Sequence, residues 1–304
     1  MKGESNNMDK RHKGSASNFG KKTFAVVLAT ATLCWGISFA MFAPVMMNTA
    51  EAAATTAHPN GVLVDIGDAN HTIYLITGGQ RQGIPSPTVF ASYGYSFGKV
   101  VAANSYDQAL PEGDVIKYAD GTIVNDNGTM FLIGNGQKRG FSSADVFTGL
   151  GYSFTGSSVV VPESTYAGTF ATYTAGSPVS SATEAHPNGA LVDINGTAFQ
   201  ISNGTLVGIP SQAILSSHGL SLSNVVMSNA TDKALTVGAN MKFADGTIVV
   251  DSTSGTPTAY VISDGTKMGI TTPAALEAYG YAWGNLVEGD VSSYPEGALI
   301  TDSG

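Results

Sequence analysis

The chain has 304 residues, two domains' worth at roughly 100–200 residues each. Charged residues make up 12% and hydrophobic residues 43%, with 37 glycines, so there is apolar material for real cores and wholesale disorder is excluded. Lys+Arg 14 against Asp+Glu 23 gives a net charge of −9, which argues against nucleic acid as a partner, and the single cysteine excludes a disulfide framework or a multi-cysteine metal site.

Residues 1–54 read as a separate segment, a signal peptide or an N-terminal membrane anchor. A basic stretch (Lys2, Lys10, Arg11, Lys13, Lys21, Lys22) leads into an apolar run from Thr23 to Ala43. Pro44 ends that run, and the small residues Ala50, Ala52, Ala53 and Ala54 follow. Residues 23–43 are also long enough to cross a bilayer as a helix. In either case the basic flank stays cytoplasmic and the remainder is exported. Cys34 lies inside this run after Leu33, where a lipid-modified cysteine would need a smaller neighbour, and it reads as a packed small hydrophobe. The segment holds six of the 14 basic residues and three of the 23 acidic ones (Glu4, Asp9, Glu51), so the exported part is strongly acidic.

The rest of the chain repeats itself. His58-Pro59-Asn60-Gly61 returns as His186-Pro187-Asn188-Gly189, and the stretch from Ala119 to Val124 returns from Ala244 to Val249. The four anchors define units opening near Gly61, Gly121, Gly189 and Gly246. The expected organisation is two domains of two units each, 57–172 and 186–304, with 173–185 as a Ser/Thr/Ala/Pro linker.

Within each unit the order of elements is the same. An opening strand comes first, at Leu63-Val64, Ile123-Val124, Leu191-Val192 and Ile248-Val249. An alternating strand follows, carrying Tyr74 and Ile76, Phe131 and Ile133, Phe199 and Ile201, or Tyr260 and Ile262. It ends on Gly78-Gly79, Asn135-Gly136, Asn203-Gly204 or Asp264-Gly265, pairs suited to the positive φ values of a two-residue hairpin turn. After the return strand, Ser86, Ser143, Ser211 and Thr272 predict N-caps of a two-turn helix stopped by Gly94, Gly151, Gly219 and Gly280. A Val-rich closing strand ends the unit. The fold class is therefore β-rich α+β, four tandem units of strand, β-hairpin, short helix and strand.

Candidate sites are few. The return strands carry a basic column, Arg81, Lys138-Arg139 and Lys267, with Leu206-Val207 in the third unit. These cations are candidate contacts for an anionic wall polymer or an acidic neighbour, or they mark a solvated strand edge. The pairs Tyr95 and Phe97, Tyr152 and Phe154, Leu220 and Leu222, Tyr281 and Trp283 read as core, with sugar stacking as the functional alternative. His58 and His186 precede turn clusters and read as turn residues ahead of metal or catalytic groups. His218 falls in a helix column and reads as packing. The stretch from Asn125 to Gly128 lacks the spacing of a calcium loop. No catalytic residue, metal site or cofactor is expected from this sequence.

The unit pattern, D-G-x-L-V, then Y-x-I-x-x-G-x-K-x-x-I, then a Ser-capped segment ending in G-Y and a Val-rich strand, resembles repeats of exported, surface-layer-like bacterial proteins. That resemblance covers Ala57 to the C-terminus and implies a non-enzymatic structural or attachment role at the cell surface. The expected partner is a cell-envelope component or further copies of the chain. The hairpin core also resembles choline-binding wall repeats, which implies a glycan- or peptidoglycan-binding module and a wall polysaccharide as the alternative; a wall-acting enzyme is the more distant one. These repeats hold only Trp283, whereas choline-binding repeats are tryptophan-rich.

Overall fold

The computed structural model describes residues 52–154, 160–162, 170–253 and 255–303. The leader expectations, including Cys34 and the apolar run 23–43, lie outside the described residues. Among the described residues no helix is long and apolar enough to cross a membrane.

The described residues are β-rich, with four small mixed sheets and few short helices. The first sheet contains β1 (Leu63–Asp65), β2 (Ile73–Thr77), β3 (Gln80–Gly83) and β4 (Val101–Ala102) in the order β3-β2-β1-β4. β1, β2 and β3 are antiparallel, and β4 returns parallel to β1 after the helix α1 (Pro87–Ser92). The second sheet repeats this order with β5 (Ile123–Asp126), β6 (Thr129–Gly134), β7 (Gln137–Gly140) and β8 (Val160–Pro162). The third does so with β10 (Leu191–Ile194), β11 (Thr197–Ser202), β12 (Thr205–Gly208) and β13 (Val225–Met227). The fourth uses β15 (Ile248–Asp251), β16 (Thr258–Ser263), β17 (Thr266–Gly269) and β18 (Val287–Glu288).

Local chemistry accounts for these elements. Each hairpin turns on two positive-φ residues, for example Asn135 at 51° and Gly136 at 70°, which match the twist of the flanking strands. The register that follows places Tyr74 opposite Val64 and Phe131 opposite Val124. The Ser86, Ser143, Ser211 and Thr272 hydroxyls each accept the backbone N–H three residues on, capping helices that span six residues apiece. Gly94, Gly151, Gly219 and Gly280 follow those helices with positive φ.

The stretch 173–185 carries an edge strand. Thr174–Ala175 forms β9, which adds to β7 as a fifth strand, and Val179 is 2% exposed and bridges Phe141. Thr236–Val237 is the corresponding β14 of the third sheet. In the first and fourth sheets, bridges from Arg81 to Glu112 and from Lys267 to Glu296 occupy the same edge. Small and polar residues suffice here because an edge segment is held by main-chain hydrogen bonds and one apolar anchor.

Four apolar clusters join the sheets in succession. Val89 of α1 packs with Ile116, Tyr118, Val124, Ile133 and Tyr173, so the first sheet covers a face of the second. Leu132, Phe147 and Tyr152 of the second sheet's segment pack with Val192, Ile201 and Val226 of the third. Ile214, on α4 (Gln212–Ser217), packs on the cluster of Val249 and Ile262 in the fourth sheet. Finally Ile248, Leu276, Tyr279 and Ile300 pack with Val62, Val64 and Ile76 of the first. The last junction closes the chain on itself. Its closure is extended by a bridge between Ala54 and Asp302 and a hydrogen bond from Ser303 N–H to the Ala53 carbonyl. A side chain on Gly94 would run into the Gly219 main chain, so two helix ends meet with only glycine between them.

Candidate functional site

The basic column faces inward along the chain's own edge strands. Arg81 donates to the Gln108 carbonyl and pairs with Glu112 at 3.0 Å, and it lies over the Tyr74 ring. Lys138 donates to the Phe170 carbonyl and lies over the Phe170 ring. Arg139 donates to the Ser177 carbonyl and pairs with Glu184 at 2.6 Å. Lys267 pairs with Glu296 at 3.1 Å; the hydrogen bond to that carboxylate holds the ammonium above its usual pKa. Each of the four therefore ties the edge segment to its hairpin. In the third sheet the apolar counterpart Leu206 is buried in the core cluster. The repeated Pro111-Glu112-Gly113 and Pro295-Glu296-Gly297 carried the signal for two of these partners.

His58 and His186 turn out to be buried linchpins. The His58 Nδ1 is 2.7 Å from Asp107 Oδ2, its backbone N–H donates to Asp107 Oδ1, and its Nε2 is 2.8 Å from the Tyr279 carbonyl oxygen. His186 makes the same three contacts with Asp232 and the Leu150 carbonyl at matching distances. Both ring nitrogens thus lie within hydrogen-bond distance of a fixed oxygen, one carboxylate and one main-chain carbonyl. The aspartates are fixed by capping boxes, Asn104 with Asp107 on α2 (Ser105–Ala109) and Asn229 with Asp232 on α5 (Ala230–Lys233). Burial pushes the Asp232 carboxyl up, but hydrogen bonds from His186 and from the Asn229 and His186 backbones outweigh it and hold its pKa below the usual range. With Nε2 committed to a carbonyl, neither imidazole has a nitrogen left for a base or a metal. Each instead bridges two sheets, fourth to first and second to third.

The other two histidines among the described residues are also placed. His71 pairs with Asp65 on the surface, and His218 Nε2 lies 2.7 Å from the Lys242 carbonyl. Among the described residues no group of three His, Cys, Asp or Glu could hold a metal ion.

The aromatic pairs split in two. Their first members Tyr152 and Tyr281 are buried, as core positions, whereas the second members are exposed in every case: Phe97 65%, Phe154 49%, Leu222 55% and Trp283 39%. Phe97, Leu222 and Trp283 open 3₁₀ turns that follow the helix-ending glycines. Alternation along the chain hid this, because a 3₁₀ turn displaces the second side chain outward. Phe97 still stacks on Phe90 at 4.5 Å, so its orientation is fixed. Asn285 donates to the Gly98 carbonyl at 2.7 Å, tying the Trp283 turn to the Phe97 turn.

Two clefts open where the sheets meet. The wider, about 340 Å³, is lined by Tyr93, Tyr95, Lys99, Asp245, Tyr281 and Asn285, among others. The narrower, about 130 Å³, is lined at corresponding positions by Ser92, Leu220, Asn224, Asp120 and Tyr152.

No protein-family model matches the chain, and no curated protein matches it in sequence. Solved structures are similar at a low level. A chain of the periplasmic assembly from the ESX-5 inner membrane complex is 13% identical with a TM-score of 0.18, over 85% of this chain and 65% of that one. A chain of an intact ESX-5 inner membrane complex is 15% identical with a TM-score of 0.16, over 95% and 63% respectively. The EccB3 dimer from the ESX-3 core complex gives 14% identity and a TM-score of 0.18, over 79% of this chain and 98% of that one. The chain therefore spans a little under two thirds of the first two structures it matches.

Proposed function

We propose that this is an exported, non-enzymatic structural or attachment protein of the cell envelope, built from four copies of one unit. It docks to further copies of itself or to a larger envelope assembly through the apolar tips of the turns that follow its helices. The observation that carries this reading is the exposure of Phe97, Phe154, Leu222 and Trp283 at the same place in each sheet's segment. An apolar side chain kept exposed at four corresponding positions favours contact with another protein surface. The basic leader followed by an apolar run supports export, and the resemblance to surface-layer-like repeats supports the location.

The test compares the full chain with a variant carrying Phe97→Ser, Phe154→Ser, Leu222→Ser and Trp283→Ser. The original chain is expected to co-sediment with an envelope fraction or form ordered oligomers visible by electron microscopy, and to do so in high salt. The variant should still unfold cooperatively and lose that association. Association that high salt abolishes, or that the variant retains in full, would contradict docking through these tips.

A further inference from the structure

The two clefts occupy corresponding places at the two junctions, yet they differ in size and chemistry. Each is lined by a buried tyrosine whose hydroxyl has no hydrogen-bond partner among the described residues: Tyr281, 5% exposed, in the wide cleft and Tyr152, 7% exposed, in the narrow one. Both hydroxyls are sealed from solvent, so each tyrosine meets the cleft with the rest of its ring. Only the wide cleft has room for more than a few small groups, and its volume falls within the range of small-molecule sites, roughly 300–1,000 Å³.

The substitutions that enlarge it are specific. Where the narrow cleft has Leu220, the wide one has Tyr95, whose ring stacks on Tyr93 at 5.2 Å with an interplanar angle of 12°. Where the narrow cleft has Asn224, the wide one has Lys99. Leu220 shows that the framework holds together without an aromatic ring at this place, so packing alone does not require Tyr95. The remaining polar lining is mixed, with one carboxylate (Asp245), one amide (Asn285) and the hydroxyls of Thr77 and Thr247. His218 also borders the cleft, but its Nε2 is taken by the Lys242 carbonyl. Such a lining has no strong charge bias. It sets a partly exposed tyrosine ring, backed by Tyr93, beside donors and acceptors of both kinds, a combination that suits a neutral, hydroxyl-rich ring with an apolar C–H face.

We infer that the wide cleft between the first, third and fourth sheets binds a neutral saccharide, one or two rings long, against Tyr95. This goes beyond the docking reading and is tested apart from it. The full chain, solubilised in a zwitterionic detergent without a sugar headgroup, is titrated calorimetrically with chitotetraose and with cellotetraose. Saturation-transfer NMR then reports which ring protons touch the protein. Binding of at least one tetrasaccharide with a dissociation constant of about 1 mM or tighter is expected. Tyr95→Leu, which installs the narrow cleft's own residue, should weaken it by about tenfold or more in a chain that still unfolds cooperatively. Leu220→Tyr, at the other cleft, should leave affinity as it was. No binding of either sugar at 10 mM (roughly ten times that constant), or equal affinity in Tyr95→Leu, would overturn the assignment.

Discussion

Replacing His186 with alanine is expected to destabilise the protein by about 1–3 kcal/mol for each buried polar group left without its partner. The loss has two parts. The Asp232 carboxylate, fully buried, would keep only backbone donors, and the Leu150 carbonyl would lose its partner across the junction of the second and third sheets. His58→Ala should cost a similar amount at the junction of the fourth and first sheets, since its contacts match in kind and distance. Denaturant unfolding at neutral pH reads both effects. An unchanged midpoint in either variant would mean that the histidine contributes nothing to its junction.

The same pair sets an acid limit. Because the Asp232 carboxyl is held below its ordinary pKa in the folded chain, its contribution is fully present above the unfolded value, near 3.9, and is lost as pH falls through the lower folded value. Stability should therefore fall below about pH 4. The His186→Ala chain should show a shallower decline over that window, because the strongest hydrogen bond depressing the carboxyl is gone.

Deleting Glu296 to Gly304 is the second large effect. Ile300 is 2% exposed in the cluster that joins the fourth sheet to the first, and truncating a single buried isoleucine costs about 2–5 kcal/mol. The deletion also removes the hydrogen bonds of Ile300 with Gly269 and Thr271, the contact of Thr55 with Thr301, and the pairing of Lys267 with Glu296. A fall of at least this size in unfolding free energy is expected from the shortened chain. A melting curve that the deletion leaves in place would mean that the C-terminal segment closes nothing.

Local grammar was legible because its causes are local. Asn135-Gly136 and its counterparts need positive φ and so announce the hairpin. Ser86, Ser143, Ser211 and Thr272 satisfy a helix N-terminus three residues away, and the glycines eight residues on end the helix. What escaped the sequence acts over distance. Asp107 lies 49 residues from His58 and Asp232 lies 46 residues from His186, so no periodicity links them, although the repeated spacing of Asn104 with Asp107 and of Asn229 with Asp232 was there to be seen. The segment around Thr174–Ala175 has too few apolar residues to show a strand period, because its hold is main-chain hydrogen bonding to β7. The outward turn of Phe97 and Trp283 follows from 3₁₀ geometry after a glycine, which a column of apolar letters does not reveal.

The central claim is that the described chain closes on itself, fourth sheet against first, with its two ends paired. Ala54 and Asp302, 248 positions apart in sequence, are bridge partners on antiparallel segments, and directly opposed antiparallel residues have a Cα spacing that a disulfide can span. The direct measurement is a chain with Cys34→Ser, Ala54→Cys and Asp302→Cys, oxidised under mild conditions and run on a non-reducing gel. Closure predicts a monomer that migrates faster than its reduced form and unfolds at a higher denaturant concentration, since a cross-link over so long a loop strongly restricts the unfolded chain. Two free thiols after oxidation, or cross-linking only between molecules, would contradict it.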